Sequence, residues 1–394
     1  MRILRSIHSI NPAIGGPSES VRQSSAVLAK WGHTVEIVSL DAPADPWVHE
    51  SPVTVHALGP GRGSYGYTSR FVRWLEARRA EYDAVIVHGL WQYSSFGVWR
   101  ALRGTATPYV VFPHGMLDPW FNRTYPLKRL KKLLYWPWAE YRVLRDAAAV
   151  LFTSEEERRL ARESFALYRC REVVVNYGTA APEVDLSAAR DKFLQAYPKL
   201  RGKTLFLFLS RLHEKKGCDL LIEAFAAARR SAAEPGRLHL VLAGPGADQG
   251  YGLRLREMAE SAFGSEQDAL PVTFTGMLSG EMKWGAFSAA EVFILPSHQE
   301  NFGIAVVEAL ACGTPVLVSN KVNIWREIVQ DEAGFAEDDD REGTVRLIRR
   351  WIELDEATRG EMRENARRCF EGRFEIHRAT ESLLDVLASL GISK

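Results

Sequence analysis

The stretch Thr204-Leu205-Phe206-Leu207-Phe208-Leu209-Ser210-Arg211-Leu212-His213-Glu214-Lys215-Lys216-Gly217, followed by Asp219 to Ser231, reads as one strand, one turn and one helix. An unbroken apolar run without polar alternation suits a strand covered on both faces, the habit of parallel sheets. The turn ends at a glycine, and the apolar residues beyond it recur at helical spacing. Downstream the same alternation continues through Leu238 to Ala243, Val272 to Thr275, Val292 to Leu295 and Pro315 to Ser319. Upstream it takes in Arg2 to Ile7, a helix from about Ser18 to Trp31, then Thr34 to Ser39, Ala84 to His88, Tyr109 to Phe112, Ala148 to Thr153 and Glu172 to Asn176. Short β-branched runs alternating with helical patterns predict an α/β chain of two Rossmann-like, doubly wound parallel-sheet domains. Residues 1–180 make the first domain and 203–372 the second. Between them 181–202, with Pro182 and Pro198 nearby, reads as a linker with a short helix. Ligands of such sheets sit outside the carboxyl ends of the strands, which predicts a site in a central cleft between the domains.

Length and composition agree with this reading. A chain of 394 residues exceeds one ordinary core and fits two. With 46% hydrophobic and 25% charged residues it has a globular composition, and no apolar stretch is long enough for a bilayer. The opening Met1-Arg2-Ile3-Leu4-Arg5-Ser6-Ile7 reads as a buried strand and not as a secretory signal, so a cytoplasmic location is expected. Cys170, Cys218, Cys312 and Cys369 are widely spaced, which indicates neither a disulfide framework nor a zinc site.

A net charge of +1 hides an asymmetry: residues 1–180 carry +7 and the remainder −6. The densest basic part is Pro126 to Trp138, where Lys128, Arg129, Lys131 and Lys132 alternate with leucines, Tyr135, Trp136 and Trp138. Such a segment suits peripheral contact with an anionic membrane, with cations on phosphates and indoles at headgroup level. The plainer alternative is a helix whose Leu and Trp face the core. One short cluster falls well short of a nucleic-acid-binding face.

The chemistry concentrates in His298-Gln299-Glu300-Asn301-Phe302-Gly303-Ile304-Ala305-Val306-Val307-Glu308. Gly303 leaves the backbone bare where a helix begins near Ile304, so free amides and the positive end of the dipole can meet an anion. Glu300 and Glu308, on either side of that start, repel phosphate but accept hydrogen bonds from sugar hydroxyls. Together they describe a nucleotide sugar. Arg211 and Lys216, just past the first strand of the second domain, suit the charge that builds on a leaving diphosphate. Gly15 and Gly16 open the first helix and allow close approach of a diphosphate, although a plain turn capped by Ser18 explains them equally. Gly244 and Met277 follow strands of the second domain, where backbone groups would hold the base. His114, beside Gly115 at a strand end, reads as an active-site histidine or as a structural hydrogen-bonder. Glu337-Asp338-Asp339-Asp340 contains a D-x-D that reads as a solvated acidic loop, so no metal is expected. The Asn122-Arg123-Thr124 sequon has no role in the cytosol.

These motifs, in this order from Gly15-Gly16 to the Glu300 run, resemble the retaining glycosyltransferases of the E-x7-E type with the GT-B fold, often called family 4. The resemblance implies transfer of a hexosyl group from a UDP- or GDP-linked sugar to a saccharide or lipid-linked acceptor, with retention and without a metal cofactor. It assigns His114, Arg211, Lys216 and Glu300 to catalysis. Gly15, Gly16, Gly244, Met277, Asn301, Phe302, Gly303 and Glu308 fall to the donor. It also has residues 373–394 cross back to the first domain as a helix. Asn301 and Ser210 stand where relatives commonly carry glycine, and the region from His114 to Trp120 looks like the bacterial polysaccharide and glycolipid branch. A nucleotide-sugar epimerase, or a donor-binding subunit without activity, shares the architecture.

Overall fold

In the computed structural model, which describes residues 1–124, 126–264 and 270–392, the chain forms two compact units, Met1–Ala180 with Glu375–Lys394, and Ala181–Phe374. The first holds a parallel sheet of β1 (Arg2–Ile7), β2 (Thr34–Ser39), β3 (Thr54–Ala57), β4 (Ala84–His88), β5 (Tyr109–Phe112), β6 (Ala149–Phe152) and β7 (Glu172–Val174), in spatial order β3-β2-β1-β4-β5-β6-β7. The second holds β8 (Thr204–Leu209), β9 (Leu238–Ala243), β10 (Val272–Gly276), β11 (Val292–Leu295), β12 (Val316–Ser319) and β13 (Gly334–Glu337), in order β10-β9-β8-β11-β12-β13. Both are Rossmann-like sheets whose order reverses at one point, between β1 and β4 and between β8 and β11. At such a switch point the connecting loops diverge and leave a crevice at the carboxyl ends.

The strands form where apolar runs are buried on both faces. Every residue of β4 is buried, as is every residue of β9 and β11. Register then decides what lies at the rim. Ile7 pairs with His88, and His88 with Phe112, so the ends of β1, β4 and β5 finish level. The edge strands β3 and β13 escape the sequence reading because Thr54-Val55-His56-Ala57 and Gly334-Phe335-Ala336-Glu337 lack a continuous apolar run.

Three local expectations need correction. The stretch read as a linker, 181–202, contains the helix Leu186–Ala196, which packs on the helix Gly280–Ala289 and clusters with the second unit. Its physical reason is Ala189 and Phe193, both buried on one helical face. Ser18 does not cap the first helix, which begins at Gly16 with Gly15 in the cap position; the Ser18 hydroxyl donates instead to Ser9 O at 3.0 Å. The basic aromatic helix Pro126–Tyr135 does not turn its leucines inward: Leu127, Leu130 and Leu134 are 84%, 59% and 70% exposed. Trp136 does face the core, stacked on Phe165. The side chains of Asn122, Arg123, Pro126 and Lys128 lie outside the described residues.

The helix Ile376–Ser389 belongs to the first unit and packs against Gly16–Lys30. Leu383 and Leu387 are buried, each contributing about 2 kcal/mol of hydrophobic stabilisation, and Ser382 Oγ accepts from Asn176 N at 3.1 Å. Among the described residues no helix is long and apolar enough to cross a membrane. The four cysteines are unpaired.

Candidate active site

In the second unit the loops after β8 and β11, the two strands at the switch point, are fastened to each other. Lys215 O accepts from His298 N at 2.8 Å and from Ser297 Oγ at 3.0 Å. Gly217 makes this approach possible, because its φ is +66° and a Cβ there would stand 2.2 Å from Pro296 O. The joined loops bring Lys216 to Glu300, and the ammonium donates to Glu300 Oε2 in an ion pair. Lys216 is buried. Burial pushes the Glu300 carboxyl up, but the Lys216 charge and hydrogen bond outweigh it and hold the group below the ordinary carboxylate range. The backbone of Glu300 is pinned as well, its N–H donating to Lys321 O and its carbonyl accepting from Asn323 N, both at 2.9 Å.

Gly303, with φ +74°, occupies the N-cap of the helix Ile304–Ala311, and no side chain caps that helix start. Glu308 lies in its second turn, buried, with Lys283 Nζ donating to its Oε1 at 2.6 Å. Each carboxylate of the E-x7-E pair thus has a lysine partner. Asn301 Oδ1 accepts from Asn323 Nδ2 at 3.3 Å. Phe302 is buried edge-on against the Phe374 ring at 5.7 Å, which gives its side chain a packing role.

Arg211 is exposed at the end of β8. Beside it Gly244 has φ +151°, and a Cβ would stand 1.8 Å from Ser210 O, so only glycine lets these two loops touch. Gly244 N in turn donates to Gly276 O at 2.8 Å, which ties in the loop of Met277, itself 72% exposed. The loops of Arg211, Gly244 and Met277 therefore adjoin, as do those of Lys216, Glu300 and Gly303, all at the carboxyl edge of one sheet.

The acidic run keeps the solvent exposure expected at Asp338 and Asp340, but its carboxylates are also bonded to neighbouring loops. Asp339 accepts from His298 at 2.8 Å, and Asp338 from Asn320 at 2.6 Å. Asp340 caps the helix Arg341–Ile352 through Gly343 N. Its carboxylates are used to brace the Glu300 loop and a helix start, which sequence distance concealed. Among the described residues no three His, Cys, Asp or Glu side chains cluster as a metal site.

In the first unit His114 follows β5 with φ +51°, an uncommon backbone for a residue with a side chain. Its Nε2 lies 3.0 Å from His88 Nδ1. The ring stacks on His88 and Phe112 and meets Tyr177 edge-on at 5.5 Å. Burial and the nearby Arg5 push His114 down to about 3, so the imidazole is neutral at physiological pH. Gly115 N donates to Glu157 Oε1 at 2.6 Å, which holds the turn. Gly15 and Gly16 begin the first helix, and the loop before them is fixed by Asp41, which accepts from Ser9 Oγ and Ile10 N.

Several of these partners lay outside the sequence reading. Lys283, His88, Asp41 and Glu157 sit in no motif, and only folding reveals which charged residue a buried group has found. His88 carried one signal, a polar residue closing the apolar run Ala84 to Val87.

Two family models match the chain: a glycosyl transferase 4-like domain over residues 15–178 and glycosyl transferases group 1 over residues 189–369. With the two Rossmann-like sheets, they place the chain among the family 4 type glycosyltransferases of GT-B fold. It is 28% identical over 407 residues to the GDP-mannose-dependent alpha-(1-6)-phosphatidylinositol dimannoside mannosyltransferase of Mycobacterium tuberculosis, with 100% of this chain and 97% of that protein covered. Among solved structures it resembles the sucrose-phosphate synthase of Thermosynechococcus elongatus, with TM-score 0.76, 22% identity and full coverage of both chains. It also resembles Anabaena HepE in complex with UDP and glucose, with TM-score 0.77 and 19% identity over 99% of this chain and 100% of that one. These two likenesses carry the fold.

Proposed function

We propose that the chain transfers a hexosyl group, with retention of anomeric configuration, from a UDP- or GDP-linked sugar to a hydroxyl of a saccharide or lipid-linked acceptor in polysaccharide or glycoconjugate synthesis. The observation that carries this reading is the ion pair of buried Lys216 with half-buried Glu300, on the loop that leads into the uncapped start of Ile304–Ala311. Positive charge and free amides at a switch point suit a diphosphate, and the carboxylates suit sugar and ribose hydroxyls. The mycobacterial relative, whose name specifies GDP-mannose and a lipid acceptor, supports the same chemistry at full length.

In this reaction the acceptor oxygen bonds to the anomeric carbon as the bond to the β-phosphate oxygen breaks, and the acceptor proton passes to the departing phosphate on the same face. Arg211, Lys216 and the helix amides carry the developing charge, which is typically worth about 3 kcal/mol per contact, or roughly a hundredfold in rate. Glu300 would take hexose hydroxyls and Glu308 the ribose, with Lys283 holding Glu308 in place. Neutral His114, in the first unit, would hydrogen-bond the transferred sugar. Protein cations leave no required role for a metal. The exposed Leu127, Leu130, Leu134 and Trp138, with Arg129 and Lys131, suit peripheral contact with anionic lipid at the cytoplasmic face.

The deciding experiment incubates the protein with UDP- and GDP-hexoses and a pool of saccharide and lipid-linked acceptors. Proton NMR of the product should show the donor's anomeric configuration. Release of an epimerised nucleotide sugar, or binding without any glycoside formed, would overturn the reading.

A further inference from the structure

Arg5, in β1, is 1% exposed, and its guanidinium is incompletely satisfied. Nη1 donates to Ser24 Oγ at 2.7 Å, while Nε and Nη2 meet no acceptor and no carboxylate pairs with the side chain among the described residues. Burial pushes the group down only to about 10, so it stays charged at neutral pH. Its neighbours supply no counter-charge. Burial pushes the Tyr177 phenol up and His88 well down, so both are neutral. Glu157, which borders Tyr177, already accepts from Gly115 N, Thr153 N and Thr153 Oγ1.

Arg5, Ser24, His88, Tyr177, Ile376 and Thr380 line a cavity of about 20 Å³. His88, another residue of this lining, has its Nε2 buried and also without a partner. The first turn of Ile376–Ser389 borders the cavity, its His377 and Arg378 amides already capped by the Glu375 carboxylate. An uncompensated buried charge costs several kcal/mol, and an ordered water satisfies its hydrogen bonds but not the charge. We propose that this cavity binds one small monovalent anion of halide size, held by Arg5 Nε–H and Nη2–H and by His88 Nε2–H. The volume has room for one or two bodies the size of water, which suits a halide better than a tetrahedral oxyanion. With its proton on Nε2, His88 accepts at Nδ1 from His114 Nε2–H, which leaves His114 Nδ1 an acceptor. The anion also offsets the Arg5 field that lowers both imidazoles.

The test compares thermal unfolding of the full chain in sodium gluconate, sodium sulfate, sodium chloride and sodium bromide at equal ionic strength. Halide should raise the midpoint by about 2 to 4 °C with saturation, and the gain should vanish in Arg5→Met. Crystals grown in bromide should show an anomalous peak within hydrogen-bond distance of Arg5 Nε, which decides the matter on the native chain if Arg5→Met does not fold. Equal midpoints in all salts, an unchanged halide gain in a folded Arg5→Met, or a bromide map with water alone in the cavity would overturn the proposal. It rests on the first unit alone, so its failure leaves glycosyl transfer untouched.

Discussion

At the level of single residues, the two lysine–glutamate pairs turn a motif into a balanced charge arrangement. Removing Lys216 leaves the half-buried Glu300 without its cation, so Lys216→Met should lower stability by about 3 kcal/mol as well as activity. Adding Glu300→Gln should restore most of that stability, because the orphaned charge is gone, yet leave turnover at least a hundredfold down. Chemical denaturation and donor-turnover assays on the single and double variants check this, and recovery of activity with stability would assign the pair to packing. His114 gives a pH prediction. Its folded value of about 3 lies below the ordinary 6.5, so between those limits the unfolded chain binds the extra proton. The stability is therefore fully present above pH 6.5 and is lost as pH falls, at up to about 1.4 kcal/mol per pH unit. Urea midpoints of His114→Gln should fall less steeply from pH 6 to pH 5 than those of the native chain. Equal slopes would mean that His114 titrates normally.

Among the elements, legibility followed burial. Strands such as β4 and β9 were plain because both faces are apolar, and the helix start at Ile304 because Gly303 precedes an apolar run. Partners across loops were not plain: nothing in sequence joins Lys283 to Glu308 or Asp339 to His298. The helix Pro126–Tyr135 shows a different gap, since its amphipathic pattern fitted both an inward and an outward set of leucines until the exposure of Leu127 and Leu134 decided it. Its proposed lipid contact predicts sedimentation with vesicles containing anionic phospholipid and much less with zwitterionic ones. Replacing Leu127 and Leu134 with Glu should cut vesicle binding about tenfold or more while leaving the thermal midpoint near native. Undiminished binding would sink the assignment.

For the whole molecule, the alternation of strands and helices announced two Rossmann-like sheets, and motif order announced the family. The boundary residues were less visible, because Leu186–Ala196 joins the second unit through a helical face that the flanking prolines obscured. A donor that binds the native form alone raises its apparent stability. UDP- or GDP-sugar at a hundred times its dissociation constant should therefore add about 2.7 kcal/mol, and a Glu308→Ala variant should need more ligand for the same gain. Identical titrations would reassign Glu308 to the helix.

The helix Ile376–Ser389 completes a unit whose remainder ends at Ala180. A ribosome must therefore finish all of the second unit before the first receives its final wall, a delay on the order of ten seconds or more. Until then the nascent first half carries an uncovered apolar groove where Leu383 and Leu387 will dock, an exposed target for chaperones during translation.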